Sequence, residues 1–386
     1  MATTIPTKVP EQIILYLGIF RPFFSKAEFE NLVILVLGIL SDTRNKTIVG
    51  IASVMDNLKD HTVLSKFLTS ASLSTYHLKM LMRKLFLSMI DTAKPIFLYV
   101  DDTLIEKAGK KVKARLNHSV SKGKAVFSNC FVIGLVKNGN LELPFEFEKY
   151  LPENEKGFKS KIELAFLIIK KFISWFGKKT YVLFDTWYSC TEIIHYLNKE
   201  GVKFITRLKS NRVVIINSVK INLKEYAKGL DPRKFRRIEF GDKEYFIYSE
   251  ILHINKIGDV KVIFSKKRRY GRKTVFIITN DYDLDEKIAI ENYVHRWEVE
   301  QFFKDMKGDF GFEEYQETKQ VGVSRHIALQ FVAYFLVSVV GHFLGSISKA
   351  ALTIGEILKK IRSCLSDVKM NLLRRLYLRK FEVNLM

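Results

Sequence analysis

Cysteine is scarce. The 386 residues hold three, Cys130, Cys190 and Cys364, and an odd number without metal-ligand spacing argues against a disulfide framework and a thiolate zinc site, leaving a reducing cytoplasm as the fitting compartment. Acidic residues are also short, 41 against 63 Lys and Arg, for a formal net charge of +22. Such an excess suits a polyanion, because each neutralised phosphate releases condensed counterions. Nucleic acid is therefore the first partner to consider, ahead of an anionic membrane surface. Residues Met1 to Glu11 lack the basic segment followed by an apolar one that marks a signal peptide. One apolar run, Ile327 to Gly345, approaches bilayer length, but Gln330, Ser338, Gly341 and His342 interrupt it. It reads as a buried or interface helix, with no membrane partner. What the chain has in quantity is apolar and aromatic residues, 47% hydrophobic with 30 Phe and 16 Tyr, enough for a large core and two or three domains.

Residues Ser25 to Met89 alternate apolar clusters with helix-start signals, for example Ser41-Asp42-Thr43 and Asn45-Lys46-Thr47. Thr47 to Met55 and His61 to Thr69 have a spacing compatible with a helix-turn-helix, as any small bundle would. From Lys94 the texture becomes β: Ile96 to Val100, Ala125 to Val136 and Leu141 to Tyr150, with a hairpin at Lys137-Asn138-Gly139-Asn140. A helix (Lys159 to Trp175), a strand (Tyr181 to Phe184), a helix (Cys190 to Lys199) and a strand (Val202 to Arg207) follow. The expectation is an α/β layer fold with a mixed sheet. Lys209 to Lys273 is basic and strand-like, near Phe235 to Phe240, Tyr245 to Ile254 and Val260 to Phe264. It ends in Lys266 to Lys273, six cations in eight residues, either a phosphate clamp or a solvated loop.

Two apolar runs end in carboxylates: Phe97 to Val100 precedes Asp101-Asp102, and Tyr181 to Phe184 precedes Asp185. Adjacent strand ends about 4.8 Å apart could share a metal ion, although an Asp there can also simply cap a turn. Only one of Asp101 and Asp102 can face such a site, because side chains alternate along a strand. Glu291 to Lys307 contains no Gly or Pro and reads as one helix. At about 100° per residue, Tyr293, Arg296, Trp297, Glu300, Lys304 and Lys307 fall within roughly 50° of one direction, while Val299, Phe302, Phe303 and Met306 lie opposite. An ordinary exposed helix would carry Glu300 and Lys304 as an ion pair but has no need of Tyr, Arg and Trp beside them. His295 lies off that face and reads as a packing or surface residue.

The spacing Tyr293, Arg296, Glu300, Lys307 resembles the tyrosine-arginine-glutamate-lysine signature of bacterial DDE transposases of the insertion-sequence-4 type. Asp101-Asp102-Thr103 with Lys107 and Gly109 is similar to that group's first-aspartate segment, and Phe184 to Ser189 to its second. The resemblance runs from about Ile96 to Gly311. It implies a ribonuclease-H-like catalytic domain (93–208 and 274–320) with a β-rich insertion (209–273), a helical DNA-binding domain (1–92) and a helical C-terminal region (321–386) for dimerisation. It further implies Asp101, Asp185 and Glu300 as catalytic residues holding two Mg²⁺ ions, with Mn²⁺ able to substitute. Asp101 is favoured by the family's spacing, and Asp102 is the alternative. Tyr293, Arg296, Trp297, Lys304 and Lys307 are the implied DNA contacts, Trp297 by stacking on a flipped base. The implied function is cut-and-paste transposition on double-stranded DNA, through hairpin ends and a homodimeric synaptic complex, in a bacterial, nucleoid-associated cytoplasmic setting. Two alternatives stand beside it: a metal-dependent nuclease that cuts without joining, and a catalytically silent transposase-derived DNA-binding protein.

Overall fold

The computed structural model describes residues 9–42, 45–70, 73–107, 114–119, 122–240, 243–348 and 352–367. Gly109 lies outside the described residues.

The chain opens with five helices: α1 (Val9–Gly18), α2 (Lys26–Leu40), α3 (Ile48–Val54), α4 (His61–Ser70) and α5 (Thr75–Met89). Local chemistry sets their starts. Ser25 and Glu28 form a reciprocal capping box ahead of α2, and Thr47 caps α3 through the Gly50 amide. Between α3 and α4 the chain turns through Asp56 and Asn57, both with positive φ (55° and 51°), a conformation Asn and Asp tolerate better than most residues.

The β layer begins with β1 (Ile96–Glu106), β2 (Arg115–Ser119), β3 (Lys124–Asn138) and β4 (Leu141–Tyr150). Gly139, at φ 59°, turns β3 into β4; neither neighbouring Asn adopts a positive φ. Asn138 has another use: its side chain ties down the loop before β1 through Asp91, Lys94 and Pro95. Next come α6 (Lys161–Phe176), β5 (Thr180–Phe184), α7 (Thr191–Glu200) and β6 (Lys203–Leu208). β3 pairs antiparallel with both β1 and β4, whereas β5 is parallel to β1 and β6 parallel to β5. This order, β4-β3-β1-β5-β6, is that of a ribonuclease-H-like sheet.

The basic segment continues the same sheet. It contributes β7 (Val213–Ile216), β8 (Val219–Asn222), α8 (Leu223–Gly229), β9 (Arg236–Phe240), β10 (Lys243–Ile254), β11 (Gly258–Lys266) and then β12 (Val275–Thr279), and β12 pairs antiparallel with β6. α9 (Glu286–His295) and α10 (Trp297–Gly308) lead to the long α11 (Gln320–Ser348) and to α12 (Ile354–Ser363).

Two layers of helix sandwich the strands. α6 covers one face, with Phe172 edge-on to Phe145 at 6.1 Å; α11 covers the other, with Phe331 edge-on to Phe147 at 5.3 Å. α11 has the length and composition of a membrane span, yet every residue from His326 to Val340 is buried among β4, α1, α2, α4, α5 and α12. Its polar groups are accommodated there: Gln330 donates to the Phe310 and Gly311 carbonyls, and the Ser338 hydroxyl accepts from the Glu142 amide. Gly341 lets α12 approach closely, since a Cβ there would lie 2.2 Å from Ile357. α11 is thus the core helix on which the N-terminal helices and the sheet both pack.

Candidate active site

The two aspartate runs become neighbours because β1 and β5 are parallel and in register, Val100 opposite Phe184. β5 stops there, and Asp185 begins the turn that follows. β1 continues for six residues to Glu106, paired beyond Val100 with β3 but no longer with β5. Asp101 therefore sits within a strand at the point where its parallel neighbour ends, rather than at the strand end the sequence suggests. Asp185 also caps its own turn, with Oδ1 accepting from the Trp187 amide at 2.7 Å and the Tyr188 amide at 3.2 Å.

Alternation separates Asp101 from Asp102. Asp102 faces α6, where its carboxylate receives Lys161 Nζ at 2.6 Å, the Tyr188 hydroxyl at 2.8 Å and the Cys130 thiol at 3.4 Å. Burial, reinforced by Asp102, pushes both the Tyr188 hydroxyl and the Cys130 thiol well up from their ordinary values. Asp101 faces the opposite side, towards α9 and α10. Its Oδ2 accepts from Arg296 Nη1 at 3.0 Å. Burial and the charge of Asp185 push its carboxyl up to about 7, against the opposing pull of Arg296. Asp185 is thus the acid whose charge acts most on Asp101.

Glu300 arrives from the signature helix, which differs from expectation in one respect. It is interrupted at Arg296, where bonding tightens to three-residue spacing: the Arg296 amide donates to the Tyr293 carbonyl and the Val299 amide to the Arg296 carbonyl, each at 3.1 Å. Arg296 uses this position to bridge two acids, with Nη2 donating to Glu300 Oε1 at 3.0 Å. Its guanidinium lies 5.9 Å from the Tyr293 ring, and its Nε is buried with no hydrogen-bond partner.

The other signature residues divide by exposure. Trp297 is 61% exposed and Lys304 also faces solvent. Lys307 is engaged within the protein, donating to the Leu104 carbonyl at 2.8 Å and pairing with Glu313 at 2.9 Å. Lys107 is engaged too, on the Glu313 and Tyr315 carbonyls, and burial lowers its ammonium to about 8. These two lysines brace the segment after α10 against β1. His295 is exposed and bonded to Glu298. Sequence reasoning missed Lys161 and Tyr188 as the partners of Asp102; the second-aspartate segment contains Tyr188, but nothing in its pattern reveals the face it occupies.

The donor chemistry fits a hard divalent cation, since all three acids offer carboxylate oxygens and Asp101 is held against a like charge. The arrangement is nevertheless built around Arg296. Among the described residues, no three acidic, histidine or cysteine side chains converge closely enough to hold a metal ion.

The sheet order is ribonuclease-H-like, with Asp101 and Asp185 just past the last β1/β5 pair and Glu300 on a following helix. The chain belongs to the DDE superfamily endonucleases, matching that family over residues 19–244. Residues 146–349 also match the family described as "Archaeal putative transposase ISC1217". Each match spans more than half of the 386 residues. Nucleases of this superfamily generally use divalent metal ions. No curated protein matches the sequence. Among solved structures, the chain is similar in fold to the piggyBac transposase in a synaptic complex with hairpin DNA, at a TM-score of 0.50 and 9% identity, over 97% of this chain and 79% of that one.

Proposed function

We propose that this protein is a cut-and-paste transposase of the insertion-sequence-4 type that cleaves double-stranded DNA at its element's terminal repeats and joins the ends to a target. The observation carrying the proposal is the pairing of Asp101 with Asp185 at the β1/β5 split, with Glu300 held beside them through Arg296. Asp101, Asp185 and Glu300 would hold two Mg²⁺ ions, or Mn²⁺ in their place. When bound, such cations supply a deprotonated oxygen nucleophile and neutralise the leaving oxygen.

The chain's own residues do the rest. Arg296, with one buried donor unpartnered, exchanges an acid for a backbone phosphate, and the Tyr293 hydroxyl is positioned to hydrogen-bond the same group. Exposed Trp297 offers an indole face for an unpaired base at a hairpin end, and Lys304 offers a cation to the neighbouring phosphate. Lys307 acts as a positioning residue, keeping α10 and Glu300 against β1. A homodimer would pair two DNA ends, with the helical regions at either end of the chain supplying repeat recognition and dimer contacts.

The test is cleavage of DNA carrying the element's flanking repeats, in Mg²⁺ or EDTA, by wild type, Asp185→Asn and Glu300→Gln. The expected result is metal-dependent nicking that both substitutions abolish while DNA binding survives, with covalently closed hairpin ends among the products. Binding without cutting under any divalent metal would replace the proposal with a silent, DNA-binding descendant.

A further inference from the structure

A cavity of about 990 Å³ opens between the catalytic sheet and the basic segment, and its lining contains no carboxylate. Three stretches of chain bring seven cations to it: Arg207 in β6 with Lys209 just past it, Lys224 and Lys228 on α8, and Lys266, Arg272 and Lys273 around the β11–β12 connection. Lys228 pairs with Glu225 at 2.9 Å, and the other six have no ion pair with an acid among the described residues.

Lys266 is the most informative. It is the last residue of β11, only 8% exposed, with its ammonium 4.2 Å from the centre of the Phe235 ring. Burial lowers its pKa, and no acid compensates. Its ammonium lines the cavity with no counter-charge, so an anion entering there would be favoured. The floor beside it is apolar, made by Leu208, Ala227 and Phe276, and Tyr270 stands 78% exposed in the same lining.

The cavity is contiguous with the acid site. Thr186, the residue after Asp185, is part of its lining, and Arg207 stands close enough to Tyr293 for its charge to act on that hydroxyl. Cations along an apolar trough with an exposed aromatic ring are the elements by which proteins hold a single nucleic-acid strand without reading its sequence. We infer that this trough holds the single DNA strand that leaves the acid site on the Asp185 side. The inference rests on the DNA-cleaving reading above and adds a strand polarity to the site: one strand is retained past Asp185 while its complement is not.

The test uses the full chain in EDTA, so that binding is read without cleavage. Two fluorescent DNAs are compared by anisotropy across a range of KCl concentrations: a terminal-repeat duplex with a single-stranded overhang, and the same duplex with a blunt end. The variant Lys209→Gln/Arg272→Gln/Lys273→Gln removes three exposed cations, and Lys199→Gln/Lys220→Gln is a control outside the trough. Wild type is expected to prefer the overhang. In the triple variant the salt slope for the overhang DNA becomes shallower by about 2, at roughly 0.7 per single-strand phosphate, and the preference disappears while blunt binding and the control are unchanged. Lys266→Met, checked for folding by its melting temperature, should lose the same preference. An unchanged overhang slope, or an equal change on blunt DNA, overturns the trough while leaving the nuclease reading intact. If wild type binds neither DNA, the DNA reading falls and the trough falls with it.

Discussion

Arg296 and Asp101, 195 residues apart in the chain, meet at 3.0 Å inside the acid site, and the same guanidinium holds Glu300 on its other amino group. An internal cation therefore stands between two of the acids proposed to hold a metal ion. Replacing it has two separable effects. Arg296→Gln is expected to bind Mn²⁺ roughly tenfold to hundredfold more tightly than wild type, because charged hydrogen bonds of about 1.5–3 kcal/mol no longer compete. Titration followed by electron paramagnetic resonance measures this directly, and equal affinities would show that Arg296 does not compete with the cation. DNA nicking by the same variant should fall if Arg296 makes the proposed phosphate contact.

The two adjacent aspartates should behave in opposite ways. Asp102→Asn weakens the link to Lys161 and Tyr188 and is expected to cost about 1–3 kcal/mol of stability while metal binding is retained. Asp101→Asn removes a carboxylate that burial and Asp185 already disfavour, so stability should hold or rise while metal-dependent nicking is lost. Denaturant melts paired with metal-binding and nicking assays separate them; loss of both metal binding and nicking in a folded Asp102→Asn would reverse the assignment.

How much of this was legible beforehand differs by element. Apart from the five-residue β2, the strand and helix order from β1 to β6 could be read, because the longer elements have their own periodicity and turns such as Gly139 and the capping Ser160 mark their ends. β7, β8 and α8 could not: each is four to seven residues long, and the β7–β8 turn uses Asn217 and Ser218 at positive φ rather than a glycine. The three acids were visible as motif positions. The role of Arg296 was not, because helical geometry gives the face a side chain occupies but not which charge it meets across the fold. The choice between Asp101 and Asp102 needed the second strand and α6.

Glu146 supplies a pH dependence remote from the acids. Buried on β4, it receives Lys79 and Arg83 from α5 and Lys171 from α6. Burial alone would raise its pKa, but the three cations outweigh it and hold the carboxyl down at about 2, from an ordinary 4.5. The same burial lowers Lys79, although Glu146 favours its charged form. The depressed Glu146 sets the sign, since three cations converge on one acid. Its contribution is complete above about pH 4.5 and is lost as pH falls towards 2. Thermal melts from pH 7 to pH 3 should show a steeper decline in wild type than in Glu146→Gln, which itself should be less stable at pH 7 by about 3 kcal/mol. Parallel pH profiles would remove Glu146 as the cause.

Trp297 should be dispensable for folding. Because its ring is mostly exposed, Trp297→Ala is expected to change stability by no more than about 0.5 kcal/mol. If the indole stacks on an unpaired base, the same variant loses hairpin formation selectively while first-strand nicking continues. Retention of hairpin yield at the wild-type rate would remove the residue from the reaction.

The burial of α11 also bears on how the protein is made. Eleven of the fifteen residues of α2 are buried, and α11, which follows almost 300 residues later, is one of the helices that cover them. A ribosome emits the N-terminal helices long before their partner exists, and contacts so distant in sequence close late. The first ninety residues therefore wait, apolar faces uncovered, until the last quarter of the chain emerges. A chain cut short before α11 would leave the apolar faces of α2 uncovered.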